Sequence, residues 1–400
     1  MADTSVVTSA QSVLSDLEVT RKSKPTRVRE LDGLRGFAIL LVLLKHGGIN
    51  AEIFTNANHS NMSLPTHGVR FVFNTGWMGV DLFFVLSGFL ITGILIDTAG
   101  RTHYYRNFIV RRALRIFPLY YAFLLIAFIA SASIAKKDIL WFAIYFGNIR
   151  MFLRNAWPAL AILAPLWSLQ VEEQFYLTFP WIVLKTSWRT LKRMLMGAVI
   201  LALLLRIALQ LAMPLNNFAT YTLMPSRMDA LALGGLIAIA LRENAESLRS
   251  RWIPPLTAIF AMSFAATWAT RNAALVSTIG YSFIDLALAG VLTLVITDAF
   301  PPLTAICRLK PLVGVGAISY GLYVLQLPMF DVVNHWGAPL ARFPGGDFIE
   351  MLLCFAFAIV AAVLSWRFFE SPFLKLKDRF TVQGSPSSRR AFSSGVPAGS

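Results

Sequence analysis

Charged side chains are scarce in this chain: they make up 14% of its 400 residues, where soluble domains carry about 25%. That scarcity excludes an ordinary water-soluble domain. The 56% of hydrophobic residues fall into long runs, the pattern of a polytopic helical membrane protein. Cysteine is also rare, and Cys307 and Cys354 have neither metal-ligand nor redox spacing, so no disulfide and no metal centre is expected. No internal repeat is visible, which counts against the inverted-repeat plan of many secondary transporters. The first residues lack a convincing small-residue cleavage site, and their basic region is too long for a signal peptide. A formal charge of +15 would point to nucleic acid in a soluble protein. Here Lys and Arg cluster in short segments between apolar runs, where the positive-inside rule accounts for them.

The sequence is organised around residues 31–50, LDGLRGFAILLVLLKHGGIN. Its apolar run is bracketed by Asp32 and Arg35 on one side and Lys45 and His46 on the other, so it is too short to cross a bilayer on apolar residues alone. Such a helix is stable in lipid only if its ionisable residues face a protein interior, where they are candidates for function. Arg35 and His46 are eleven residues apart, nearly a whole number of turns with a rise of about 16 Å. Both lie on one stripe, near opposite membrane faces.

The apolar segments predict an all-α bundle of about ten crossings, near 31–49, 76–96, 116–133, 166–184, 195–213, 227–241, 253–270, 279–296, 312–330 and 348–366. Arg101, Arg106, Arg111, Arg112 and Arg115 then fall in a basic inner loop, 97–115. Residues 136–165 are interrupted by Arg150, Arg154, Pro158 and Pro165 and read as a half-membrane or interfacial segment. A full crossing there would place Lys185, Arg189, Lys192 and Arg193 outside. The membrane domain covers 31–373, between a basic tail, 1–30, and a second tail, 374–400, both expected to be disordered and cytoplasmic. The localisation that follows is the inner (plasma) membrane.

On this topology the titratable residues sort by depth. His46, Asp81, Glu172 and Glu173 fall in the outer half, and Asp32, Arg35, Arg112 and Arg115 at the inner edge. An imidazole with carboxylates suits general base work, and arginines match the geometry of phosphates. Each residue also has a plainer reading. His46 equally fits a hydrogen bond to a neighbouring helix, Asp81 a helix-end acid satisfied by backbone, and Arg112 and Arg115 ordinary positive-inside flanks. Glu172 and Glu173 are about 100° apart on a helix and cannot both face one site. Arg227 and Asp229 read as flank and capping residues, His335 as a loop residue, and Trp77 and Trp167 as interface anchors.

Seven motifs in order, LDGLRGFAILLVLLKH, GVDLFFVLSGFLI, RRALRIFPLYY, PLWSLQVEEQFYLTFPW, SRMDALALGG, ISYGLYVLQLP and FFESPF, resemble the acyltransferase-3 family of membrane acyltransferases over nearly the whole chain. The resemblance implies a roughly ten-helix enzyme that moves an acetyl or other short acyl group to a hydroxyl of a saccharide, in a surface polysaccharide, lipopolysaccharide or similar acceptor. It implies acyl-CoA, such as acetyl-CoA, as cytoplasmic donor, with no permanently bound cofactor. It makes His46 the catalytic residue, Arg35 its motif partner, Arg112 and Arg115 the pair that meets the donor, and Glu172 the motif acid. Where the family often has a histidine, this chain has Gln326, an amide that still donates and accepts hydrogen bonds. The sequence shows none of the extra hydrolase-like domain some members append, so the membrane domain is expected to act alone.

The mechanism these expectations define holds the donor's phosphates on the inner arginines and extends the pantetheine arm toward His46, which either removes a proton from the acceptor hydroxyl or first takes the acyl group itself, with Glu172 or Asp81 steadying the imidazolium. A proton-coupled secondary transporter using His46 and Glu172 as a relay is the competing class, disfavoured by the missing repeat. A weaker third reading is a non-catalytic partner in polysaccharide assembly.

Overall fold

The computed structural model describes residues 29–50, 73–131, 133–337, 346–376 and 380, and among them every regular element is helical. Helix α1 (Arg29–Asn50) opens with Glu30 and Asp32, acids that complement the partial positive charge of a helix N-terminus. Helix α2 (Met78–Thr98) returns beside it, followed by α3 (Tyr104–Ala130), short α4 (Ser133–Ala143) and α5 (Gly147–Arg154), and a 3₁₀ turn, Ala161–Leu166. Then come α6 (Trp167–Lys185), α7 (Trp188–Ala212), α8 (Asn217–Tyr221) and α9 (Met224–Glu243). The chain continues through α10 (Ile253–Ala269), α11 (Tyr281–Ile296), α12 (Pro301–Cys307), α13 (Lys310–Ala317), α14 (Ser319–Gly337) and α15 (Gly346–Leu364). The ends obey ordinary capping rules. Ser187 Oγ accepts the Thr190 N–H at the start of α7, and Pro225 occupies the first turn of α9, where its missing N–H costs nothing.

Among the described residues, six helical segments are long and apolar enough to cross a membrane, and a seventh if α13 and α14, bent by 75° between them, count as one span. The expected count of about ten is not confirmed by this measure. Helices α1 and α6 fall short because Arg35, Lys45 and His46 in one, and Gln170, Glu172, Glu173 and Gln174 in the other, replace apolar residues. Helix α10 has 17 residues, the lower limit for a span. The expected basic loop 97–115 is also corrected, since α3 begins at Tyr104 and carries Arg106, Arg111, Arg112 and Arg115 on helix. Arginine's favourable helix propensity and the inward direction of the 112–115 face explain why the charges do not end it. His335 lies in the last turn of α14 rather than in a loop. His59 and His67, the outer loop around them and nearly all of both tails, residues 1–28, 377–379 and 381–400, lie outside the described residues.

Helix α1 is held against its neighbours by backbone contact. A Cβ at Gly33 would overlap the carbonyl of Cys307, and one at Gly316 the carbonyl of Asp32. The same device joins α2 to α9, where Gly88 meets the carbonyl of Leu231 and Gly234 that of Val85. Small residues permitting such approach replace the hydrophobic driving force that lipid does not supply.

A buried polar network crosses the same helices. Arg206 on α7 donates to both carboxylate oxygens of Asp229 on α9, at 3.0 and 2.6 Å, and to Ser282 Oγ at 2.7 Å. Arg227 on α9 pairs with Asp81 on α2 and lies over the Tyr281 ring at 4.2 Å. Arg227 and Asp229 are therefore buried members of interhelical ion pairs, not flank or capping residues, because α9 presents this face to α2 and α7.

Helices α4 and α5 and the 3₁₀ turn form a cap at the His46 end of the bundle. The Asp138 carboxylate gathers it, accepting from Arg150 Nε, from Arg154 Nη1 at 3.4 Å and from the Ala159 N–H at 2.8 Å. Gln174 and Asn148 exchange two amide hydrogen bonds, at 3.0 and 3.4 Å, that tie the cap to α6.

Candidate active site

His46 lines a cavity of about 450 Å³ with Lys45, Tyr323, Asp331 and residues of the cap such as Trp157 and Pro165. Its Nδ1 lies 3.1 Å from Gln326 Oε1 on α14. The Gln326 amide is oriented by a second bond, Nε2 donating to the Tyr323 carbonyl at 3.2 Å. A carbonyl only accepts, so the amide nitrogen faces Tyr323 and the amide oxygen faces the ring. Nδ1 must then carry the proton, which leaves Nε2 with its lone pair available as a base.

The arginines form a second, narrower cavity of about 90 Å³, lined by Arg35, Arg112, Arg115, Glu172, Tyr176 and Ser87 among others. Arg35 Nη1 is 3.2 Å from Asp32 Oδ1. Among the described residues, Arg112 and Arg115 enter no ion pair. They lie three residues apart on one face of α3, and the Arg112 guanidinium rests over the Tyr176 ring at 5.2 Å, a cation–π placement that holds the charge without neutralising it. Three guanidinium groups face one carboxylate in this cavity, so it is an electropositive site fit for an anion. Arg112 and Arg115 also line a third cavity, of about 110 Å³, with Tyr104, Asn107 and Arg111 toward the start of α3.

The first two cavities adjoin. Val80 and Tyr323 line both, and the Tyr323 hydroxyl lies between them, 2.6 Å from Ser168 Oγ and donating to the Pro165 carbonyl at 2.8 Å. An extended molecule anchored on the arginines would reach His46 past this ring.

The expected division by depth is corrected for two residues. Glu172 does not stand beside His46. It is held at the arginine cavity by Ser87 Oγ at 2.7 Å and the Tyr176 hydroxyl at 2.9 Å, because a buried carboxylate is stable where donors and cations surround it. Asp81 faces Arg227 instead of His46. Of the four residues expected in the outer half, His46 alone lines the larger of these two cavities. Arg35, Arg112 and Arg115 do come together. The expected interface anchor Trp167 is buried, its ring 4.7 Å from that of Tyr221. Sequence reasoning missed Tyr323, Ser168, Ser87 and Tyr176. Tyr320, Tyr323 and Gln326, three residues apart in ISYGLYVLQLP, recur on one helical face, and that periodicity was the available signal.

A polytopic helical membrane protein with an arginine-lined cavity against a histidine-lined one is the class these features define. Residues 28–367 match the family described as an acyltransferase domain, and the chain belongs to this acyltransferase-3 family. It is similar to the O-acetyltransferase OatA of Staphylococcus aureus, 25% identical over 383 residues that cover 88% of this chain and 58% of that protein. It is also similar to the peptidoglycan O-acetyltransferase OatA of Listeria monocytogenes, 27% identical over 384 residues, 87% of this chain and 56% of the relative. A putative peptidoglycan O-acetyltransferase, YrhL of Bacillus subtilis, is 25% identical over 372 residues, 86% and 54%. The chain thus spans little more than half the length of these relatives. No solved structure matches it.

Proposed function

We propose that the protein is a membrane O-acyltransferase that moves an acetyl or other short acyl group from acyl-CoA to a saccharide hydroxyl. The observation that carries this reading is the contact between the three-arginine cavity and the His46 cavity across Tyr323. Arg35, Arg112 and Arg115 hold the donor's phosphates, for which guanidinium forks are suited. The pantetheine arm passes Tyr323 and brings the thioester to His46. His46 Nε2 takes the proton of the acceptor hydroxyl as its oxygen attacks the thioester carbon. The new C–O bond forms, the C–S bond breaks, and the imidazolium returns the proton to the departing thiolate. Gln326 holds the required tautomer, and Glu172 steadies Arg112 and Tyr176 rather than the imidazole.

The arginine end then faces the cytoplasm, where acyl-CoA resides, and His46 opens toward the outer face of the plasma membrane. The names of the Listeria and Bacillus relatives favour a cell-wall glycan as acceptor class.

The test uses the purified protein in liposomes with acetyl-CoA. Thiol release that depends on added saccharide supports the reading. Arg115→Ala should raise the acetyl-CoA concentration for half-maximal rate at least tenfold, as expected when a charge-assisted contact of about 1.5–3 kcal/mol is lost. Solute accumulation driven by a proton gradient, with no saccharide-dependent thiol release, would overturn it in favour of transport.

A further inference from the structure

Resting on that transferase reading, we infer that a separate cavity beside His46 is the saccharide-binding site, built from aromatic faces and unengaged polar side chains. Its volume is about 1040 Å³, at the upper end of the ~300–1,000 Å³ typical of ligand pockets. It adjoins the His46 cavity, because Trp157 and Tyr221 line both. It belongs to the end of the bundle opposite the arginines: its walls come from Asn74 just before α2, from α8, from the end of α10, from the segment between α10 and α11 and from the start of α11.

Two features point to a sugar rather than a lipid tail. The first is a set of aromatic rings, Trp157, Tyr221, Trp268 and Tyr281, braced by one another and by Trp77. Trp77 lies 5.2 Å from Tyr281 and 6.2 Å from Trp268, and Trp157 lies 6.2 Å from Tyr221. Tyr281 is itself covered by Arg227 and serves as backing, while Trp157, Tyr221 and Trp268 give a rigid platform for the apolar C–H face of a pyranose ring. The second is a set of polar groups with no partner among the described residues. The side chains of Asn74, Asn217 and Arg271 line the cavity and make no hydrogen bond or ion pair among the described residues. Carboxamides pair well with vicinal hydroxyls because each offers donor and acceptor together. Arg271 adds a cation for an anionic substituent, and it is presented by a left-handed backbone, φ 54°, directly after α10. A cavity for acyl chains would line its wall with aliphatic residues and leave no unengaged amides.

A saccharide seated here would project one hydroxyl past Trp157 and Tyr221 toward His46 Nε2, while the donor arrives from the opposite side past Tyr323. Acceptor and donor sites are then distinct, and each can be weakened alone.

The experiment measures transfer by the full chain in liposomes, with acetyl-CoA as donor and oligosaccharides released from the host cell's wall glycan as acceptor. Asn217→Ala and Arg271→Asn, the latter chosen because asparagine tolerates the left-handed backbone, should each raise the acceptor concentration for half-maximal rate at least tenfold. Half-saturation by acetyl-CoA should stay at the wild-type value. Trp268→Phe should retain acceptor affinity that Trp268→Ala loses. If Asn217→Ala and Arg271→Asn fold with wild-type melting temperatures and leave acceptor half-saturation unchanged while the wild type transfers, the inference is overturned. A lipid headgroup in the cavity would give that same unchanged value. A wild-type protein that transfers to no oligosaccharide would overturn the transferase reading itself, a separable result.

Discussion

Gln326 decides which nitrogen of His46 is basic, because its own amide is locked by the Tyr323 carbonyl. Gln326→Leu removes that control, and kcat should fall about 10²-fold, the lower range for general base catalysis, with acetyl-CoA half-saturation unchanged. Gln326→Glu keeps an acceptor at the same place and should retain most of the rate. Equal rates for Gln326→Leu and the wild type would contradict the assigned tautomer. Asp138 in the cap gives a prediction of another kind. Burial raises its carboxyl pKa, but the Ala159 N–H and the Arg150 guanidinium outweigh burial and hold it below the usual range. A depressed folded pKa stabilises the protein fully above the unfolded value, about 3.9, and the contribution is lost as pH falls through the folded value. The melting temperature of the purified protein should therefore drop below pH 4, and Asp138→Asn should be less stable than the wild type at pH 7 but converge with it in acid.

At the scale of elements, helix crossings set by glycine hold α1, α2 and α9 in register. Gly234→Ala pushes a methyl group into the Val85 carbonyl, and overpacking of this kind costs ~1–3 kcal/mol. A Cβ at Gly314 meets nothing within 4 Å, so Gly314→Ala should be neutral or stabilising by ~0.5–1 kcal/mol through helix propensity. Thermal unfolding in detergent should order the variants with Gly234→Ala lowest. Elements of this type were legible in the sequence, since apolar runs marked where most helices lie. The start of α3 was not, because Arg111, Arg112 and Arg115 resemble a basic loop until their inward face is known. The ten-crossing count is not confirmed by helix length and composition for a related reason: α1 and α6 carry polar groups that only a protein interior makes tolerable. Arg35, Arg112 and Arg115 were legible as a set through motif spacing. The positions of Glu172 and Asp81 were not, since which buried cation a carboxylate meets depends on helix packing that no local pattern encodes.

At the scale of the whole molecule, the cavities line up from the arginines through Tyr323 to His46 and on to the aromatic-walled site, each sharing lining residues with the next. On the proposed function, donor and acceptor approach from opposite ends of this series and meet at one imidazole. The most direct test of that claim is mass spectrometry of the cell's surface glycans in wild type, a deletion strain, and the deletion complemented with His46→Ala at equal membrane abundance. The account predicts that a fixed acyl mass present in the wild type is lost in both other strains. Persistence of that mass at wild-type level with His46→Ala would contradict it.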